Sequence, residues 1–240
     1  VGYLVWRFIV TTFILRVFVY VVLPLLLGAA HILLDRQART RERRLELFLL
    51  YLLGIGVGAN GLGGFTGHLF ASDQVAESIG WPAGNPFQLE VGFANLAIGI
   101  LGVVAIGRRD GFREATAIAA TTFSVGATVV HVLDIVETGN LAPGNTVQNV
   151  INLVKPALLI AFLVASRQAA RGSKSKARIA EFERWRARQA NIVAYITAGV
   201  ATGFGVGLAL DQALLGALLG TAAGAAIGVG LGALQARGKR

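Results

Sequence analysis

Seven apolar runs, most of them long enough to cross a hydrocarbon core, succeed one another along this chain, and the segments between them alternate in charge. A helix rises ~1.5 Å per residue, so ~20 apolar residues span a bilayer. The runs cover 1–34, 45–70, 87–107, 114–135, 146–166, 191–210 and 213–234. Segments 35–44, 108–113, 167–189 and 236–240 are rich in Lys and Arg, whereas 71–86 and 137–148 contain neither. Backbone groups in lipid must find their hydrogen bonds within the segment. The fold class is therefore an all-α integral membrane protein with about seven transmembrane helices. Basic loops remain cytoplasmic, which predicts an outside N-terminus and a cytoplasmic C-terminus.

Composition agrees: 55% of residues are hydrophobic and 15% charged, with a mean hydropathy of +0.65. The net charge of +9 suggests nucleic acid at first sight. The basic residues, however, sit in short stretches between apolar runs, so the partner expected is the lipid bilayer and not nucleic acid. No cysteine is present, which excludes disulfides and thiolate chemistry. No methionine is present either, so the chain is expected to begin after its initiator.

Four regions follow. Residues 1–44 form an N-terminal transmembrane helix and a basic cytoplasmic loop; 1–34 read either as one long tilted helix or as an interfacial stretch around Trp6 and Arg7 leading into a span from about Arg16 to Leu34 with a bend at Pro24. His31 reads as a packing or interface histidine. Residues 45–166 form a four-helix membrane core. Within it Gly54, Gly58, Gly61 and His68 share one helical stripe, and Gln88, Gly92, Asn95, Gly99 and Gly102 share another. Residues 167–190 carry Ile179, Phe182 and Trp185 at helical spacing, which predicts an amphipathic helix lying on the membrane against anionic lipids at the cytoplasmic face. Residues 191–240 form a hairpin with a glycine-zipper pattern: Gly199, Gly203 and Gly207, then Gly216, Gly220, Gly224, Gly228 and Gly232. Glycines every fourth residue permit close helix approach. The hairpin packs on itself or the bundle, or it builds a homo-oligomer or a larger membrane complex.

The stretch GHLFASDQVAESIGWPAGNPFQLEVGFANL, 67–96, concentrates polar groups at a bilayer edge, where each is costly. Asn85-Pro86 reads as a helix cap followed by proline at the first helical position. A second copy of the pattern follows. Gly84-Asn85-Pro86-Phe87-Gln88 matches Gly144-Asn145-Thr146-Val147-Gln148, each preceded by a histidine (His68, His131) and an aspartate (Asp73, Asp134). Each glutamine is followed by a polar group seven residues on, Asn95 or Lys155. This describes a parallel duplication of two hairpins, with the histidines facing each other across a pseudo-twofold axis.

Buried ionisable groups in a membrane face the bundle interior and pair. The candidate ligand-binding residues are His68, Gln88, Glu90, Asn95, His131, Asp134, Gln148, Asn152 and Lys155. Several chemistries compete. In a structural network, Lys155 neutralises Glu90 or Asp134. In a divalent metal site, His68, His131, Glu90 and Asp134 are the ligands. A haem held by His68 and His131 is a third reading. A quinone, lipid or small-solute pocket, or a proton path, is a fourth. No catalytic triad, phosphate loop or dinucleotide fingerprint is visible.

The residues Gly67, His68, Trp81, Gly84, Asn85, Pro86, Phe87, Gln88, Glu90, Gly92, Ala94 and Asn95 resemble the signature of an uncharacterised family of small bacterial integral-membrane proteins. The resemblance covers about 45–165 and places the chain in the bacterial cytoplasmic (inner) membrane. The plan is also loosely similar to DoxX-type four-helix bundles. Neither likeness implies a reaction. The expected role is a membrane subunit that binds a small ligand or protein partner through an outer-leaflet polar site. The alternatives are an oligomeric channel or transporter and a metal- or haem-dependent oxidoreductase.

Overall fold

A computed structural model describes residues 11, 13–170, 176–210 and 212–237. The interfacial stretch expected at Trp6 and Arg7 lies outside the described residues, as does the end of the basic tail. Eight helices follow in order: α1 (Phe13–Leu34), α2 (Arg41–Phe70), α3 (Ser72–Ile79), α4 (Phe87–Gly107), α5 (Gly111–Thr138), α6 (Pro143–Ala170), α7 (Lys176–Ala209) and α8 (Ala213–Arg237). All but α3 are long and apolar enough to cross a membrane. Among the described residues there is no strand.

Two helices begin earlier than the apolar pattern indicates, because side-chain caps extend them. Thr40 accepts a hydrogen bond from the Arg43 amide, so Arg41–Arg44 are helical and α2 starts before Leu45. Asp110 accepts from the Phe112 amide and starts α5 before Glu114. Pro86 rather than Asn85 is the capping residue of α4, although Asn85 accepts from the Phe87 amide at 2.9 Å.

The hub is α2. Leu47, Leu49, Leu50, Tyr51, Leu52, Leu53 and Ile55 are all buried. It is covered by α1, α4, α6 and α7, so the core extends beyond the four helices of residues 45–166. Its glycine stripe meets that of α4. A Cβ at Gly61 would lie 2.5 Å from the Gly99 nitrogen, and one at Gly102 would lie 2.5 Å from the Gly58 nitrogen. Only glycine permits backbones this close. Midway, over Leu52–Ala59, the backbone of α2 widens into i→i+5 turns. Gly54, Gly56 and Gly58 supply the freedom for this, and such bulges often mark functional regions.

The end of the bundle carrying the basic loops is tied by ion pairs. Arg113 and Glu46 pair at 2.9 Å with almost no exposure. Arg109 bridges Glu42 and Glu183, each at 2.8 Å. Burial opposes charge on Arg109, but those carboxylates outweigh it and hold its pKa above the usual value. His31 packs as anticipated, with Tyr51 Oη at 3.1 Å and Gln189 Oε1 at 2.9 Å.

Residues 176–190 do not form a separate helix. Lys176–Ala209 is one continuous helix. Phe182 and Trp185 are buried against Ala38 and Leu47 of the bundle. Trp185 donates to Asp35 at 2.6 Å, and Glu181 pairs with Arg43 at 2.6 Å. Protein covers the Phe182 and Trp185 part of the apolar stripe, whereas Ile179 stays exposed. Acidic residues scattered among the arginines supply the partners that make this docking favourable.

Glycines of α7 and α8 face each other. A Cβ at Gly203 would lie 2.9 Å from the Gly220 Cα, and one at Gly224 would lie 2.8 Å from the Ile196 Cα. Helix α7 in turn buries Val193, Ile196, Val200 and Phe204 against Tyr20, Tyr51, Ile55 and Ile106.

Candidate functional site: a cavity inside the bundle

Helices α1 to α6 enclose a cavity of about 490 Å³. Seven of the nine sequence candidates line it: His68, Gln88, Asn95, His131, Gln148, Asn152 and Lys155. The polar stripes therefore converge on one space, and both histidines border it. The other two candidates do not line it. Glu90 is exposed on the outer side of α4. Asp134 lies behind the wall, where it accepts from Trp81 Nε1 at 2.9 Å, Asn140 Nδ2 at 2.7 Å and Asn145 Nδ2 at 2.8 Å.

These positions correct two expectations. Lys155 forms no ion pair with Glu90 or Asp134, because the first points outward and the second is committed to three nitrogen donors. The ligand set His68, His131, Glu90 and Asp134 does not assemble. Among the described residues, no three His, Cys, Asp or Glu side chains gather to hold a metal. The reason is helical phase: Glu90 lies two residues from Gln88, roughly 200° around the helix.

The duplication also separates on close view. Asn85 is exposed just before α4. Its counterpart Asn145 is fully buried inside the first turn of α6. There it is a clasp and not a cap. Its amide nitrogen donates to Asp134 and to the Asn140 carbonyl, so its oxygen must face His131. His131 Nδ1 therefore donates to that oxygen at 2.7 Å, leaving Nε2 free of any described partner. In the first hairpin the equivalent bond runs from His68 Nδ1 to Gln88 Oε1 at 2.5 Å. Gln148 instead donates to Asn152 at 3.0 Å, and its own Oε1 is buried without a partner.

Trp81 joins the two hairpins. It follows α3, stacks on His131 with centroids 5.4 Å apart, and donates to Asp134. The turn before it is tightly specified. Gly80 has φ +81, and a Cβ there would meet Asn140 at 2.6 Å. Asn140 itself donates to the Ile79 carbonyl at 2.8 Å. Gly80→Ala combines a left-handed backbone with a clash, so we expect a loss of about 1–3 kcal/mol. A lowered unfolding midpoint in detergent, with reduced near-UV dichroism from Trp81, checks this.

One lining residue escaped the sequence reading. Arg16 of α1 borders the cavity opposite the two hairpins. Its signal is a lone charge inside an apolar run. Arg16 and Lys155 are close enough to feel each other's charge. Ser124, buried on the polar stripe of α5, also lines the space. Exposed residues line it too: Phe87 and Val91 of α4, and Thr122, Gly126 and Val130 of α5. They flank the seam between these two helices, so the cavity opens sideways there.

No curated protein and no solved structure matches the chain, and the looser likeness to DoxX-type bundles has no match behind it. A family of unknown function, DUF6790, matches residues 14–172. That range takes in α1 through α6, hence Arg16 and Lys155 as well as the two hairpins, and leaves out α7 and α8. The chain belongs to the DUF6790 family.

Proposed function

We propose that this protein is a membrane subunit that binds a small ligand within the bundle, in the cavity bounded by α1–α6. The observation that carries the reading is the convergence of His68, Gln88, Asn95, His131, Gln148, Asn152 and Lys155 on one enclosed space. A mostly apolar cavity with a few convergent polar groups is the usual form of a small-molecule site. The buried, unpartnered Gln148 Oε1 supports it, since an acceptor without a donor is costly in a finished core. The alternation of basic and non-basic loops supports an inner-membrane location with the Arg113–Glu46 end cytoplasmic. The cavity then sits toward the outer side.

The competing readings have less behind them. The glycine faces of α7 and α8 are spent on each other, which leaves little of that pattern for a second subunit. The donor set around the cavity contains no carboxylate and does not fit a metal.

The test is occupancy. Protein extracted gently from its membrane is expected to carry a bound small molecule in native mass spectrometry. Gly126 lines the cavity, and a Cβ there meets nothing within 4 Å. Gly126→Leu therefore projects into open space without a backbone clash, and leucine is the better helix former by up to ~1 kcal/mol. We expect this variant to fold normally and lose most of the bound molecule. Unchanged occupancy in Gly126→Leu, or no bound molecule in the parent protein, overturns the reading.

A further inference from the structure

We infer that the ligand is an anionic amphiphile, whose acidic head lies between Arg16 and Lys155 and whose apolar body leaves through the seam between α4 and α5. The inference rests on the ligand-binding reading above and adds the ligand's charge and route.

The first observation is an imbalance. Among the described residues, two basic side chains, Arg16 and Lys155, line the cavity, and no Asp or Glu does. Lys155 is only 5% exposed. Among the described residues neither group has an ion pair, and neither donates a hydrogen bond to an oxygen. Arg16 has only the face of Phe13, with its guanidinium carbon 5.3 Å from the ring centroid. The acids elsewhere are already occupied or point away: Asp134 by Trp81, Asn140 and Asn145, Glu46 by Arg113, with Glu90 on the outside. Two like charges facing each other inside a membrane bundle are costly to both, and charges there normally pair. A bound anion removes the cost that no residue of the cavity removes.

The second observation is the neutral polar surface around the cations. Gln148 holds the Asn152 oxygen, so the Asn152 amide nitrogen remains available to donate. Asn60 and Ser124 also border the cavity. Together these groups supply hydrogen bonds to a carboxylate or phosphate without adding negative charge. Arg is the side chain best shaped to grip such a head in two places, and Lys adds a point charge.

The third observation is the seam. The exposed residues at the mouth, Phe87, Val91, Thr122, Gly126 and Val130, are apolar apart from one threonine. They belong to helices with mean hydropathy well inside the membrane-spanning range. A ligand entering there arrives from hydrocarbon and needs an apolar body. The stem of Lys155 is held over Gly56, where a Cβ would lie 3.7 Å from Lys155 Cγ. The widened turns of α2 thus seat the lysine that faces the ligand.

The test uses the full chain in phosphatidylcholine nanodiscs, with dodecyl phosphate, dodecanol and inorganic phosphate as probes. Binding is followed as the shift in unfolding midpoint with probe concentration. In a low-dielectric site we expect dodecyl phosphate to bind at least about tenfold more tightly than dodecanol. Inorganic phosphate should bind more weakly than dodecyl phosphate, since it lacks the apolar body. Lys155→Met should reduce the preference for dodecyl phosphate over dodecanol to within about threefold, and Lys155→Arg should keep it. Lys155→Met should also unfold no more easily than the parent without ligand, because it removes an unpaired buried charge. Arg16→Met provides the second variant and should lower the preference likewise.

Equal binding of dodecyl phosphate and dodecanol overturns the anionic head while leaving a ligand cavity intact. Inorganic phosphate binding as tightly as dodecyl phosphate overturns the amphiphile and points to a free anion. A preference that survives both Lys155→Met and Arg16→Met places the anion elsewhere and overturns the inference. Failure of all three probes overturns the inference, and unchanged occupancy in Gly126→Leu removes the ligand-binding reading itself.

Discussion

Arg113→Met should destabilise the bundle by about 3–5 kcal/mol, the largest loss expected from any single side chain here. Glu46 is completely buried, and among the described residues its ion-pair partner is Arg113. One carboxylate oxygen accepts from Arg113 Nη1 at 3.1 Å. The other lies 2.9 Å from Nη2 but has no hydrogen bond of good geometry. Removing the arginine leaves an uncompensated carboxylate between α2 and α5. It also removes one of the donors to the Ala105 carbonyl, at 3.1 Å, near the C-terminus of α4. The double variant Glu46→Met with Arg113→Met should recover most of the loss, because replacing both members of a buried pair is often close to neutral. Unfolding midpoints of the four proteins in one detergent form the double-mutant cycle. A double variant as unstable as Arg113→Met alone means the guanidinium matters through the α4 carbonyls and not through Glu46.

Gly220→Val should detach α8 from α7 while leaving the rest of the molecule folded. A Cβ at Gly220 would lie 2.8 Å from the carbonyl carbon of Gly199 and 3.1 Å from the Cα of Gly203, and it would press on the Gly199 carbonyl oxygen. All three are backbone atoms that no rotamer change can move. A cost of about 1–3 kcal/mol per overpacked contact exceeds what two smooth helices gain from touching in lipid. Helix α8 has no comparably extensive contact with any other helix, so nothing else retains it. The chain has no cysteine, so a cysteine introduced on each of the two helices reports on the contact directly. Cross-linking should fall severalfold in Gly220→Val, with ligand occupancy unchanged. A loss of occupancy shows instead that the hairpin supports the cavity through α7.

Apolar run length and loop charge carried the architecture. Seven apolar helices long enough to cross a membrane, their order, and the glycine stripes that permit close helix approach were all legible, because a bilayer leaves the backbone few ways to satisfy itself. Gly58 and Gly61 against Gly99 and Gly102 show how directly a four-residue repeat translates into contact. The candidate site was legible in part for the same reason: polar groups on one stripe of a membrane helix turn inward, and seven of nine did. Glu90 did not, since a carboxylate in the first turn of α4 can face outward at little cost. The surface-lying helix was misread because amphipathicity says that a face is covered, not by what.

By itself, then, the sequence determined the class of fold, the number and order of spans and most of the inward polar set, since these follow from periodicity and from the cost of polar groups in lipid. Only the tertiary structure decided which partners met. It showed that Asp134 serves Trp81 and Asn145, that Glu46 is consumed by Arg113, and that Arg16, a hundred and more residues from Lys155, shares its cavity with no acid between them. Such pairings depend on which helices become neighbours, and no local pattern encodes that.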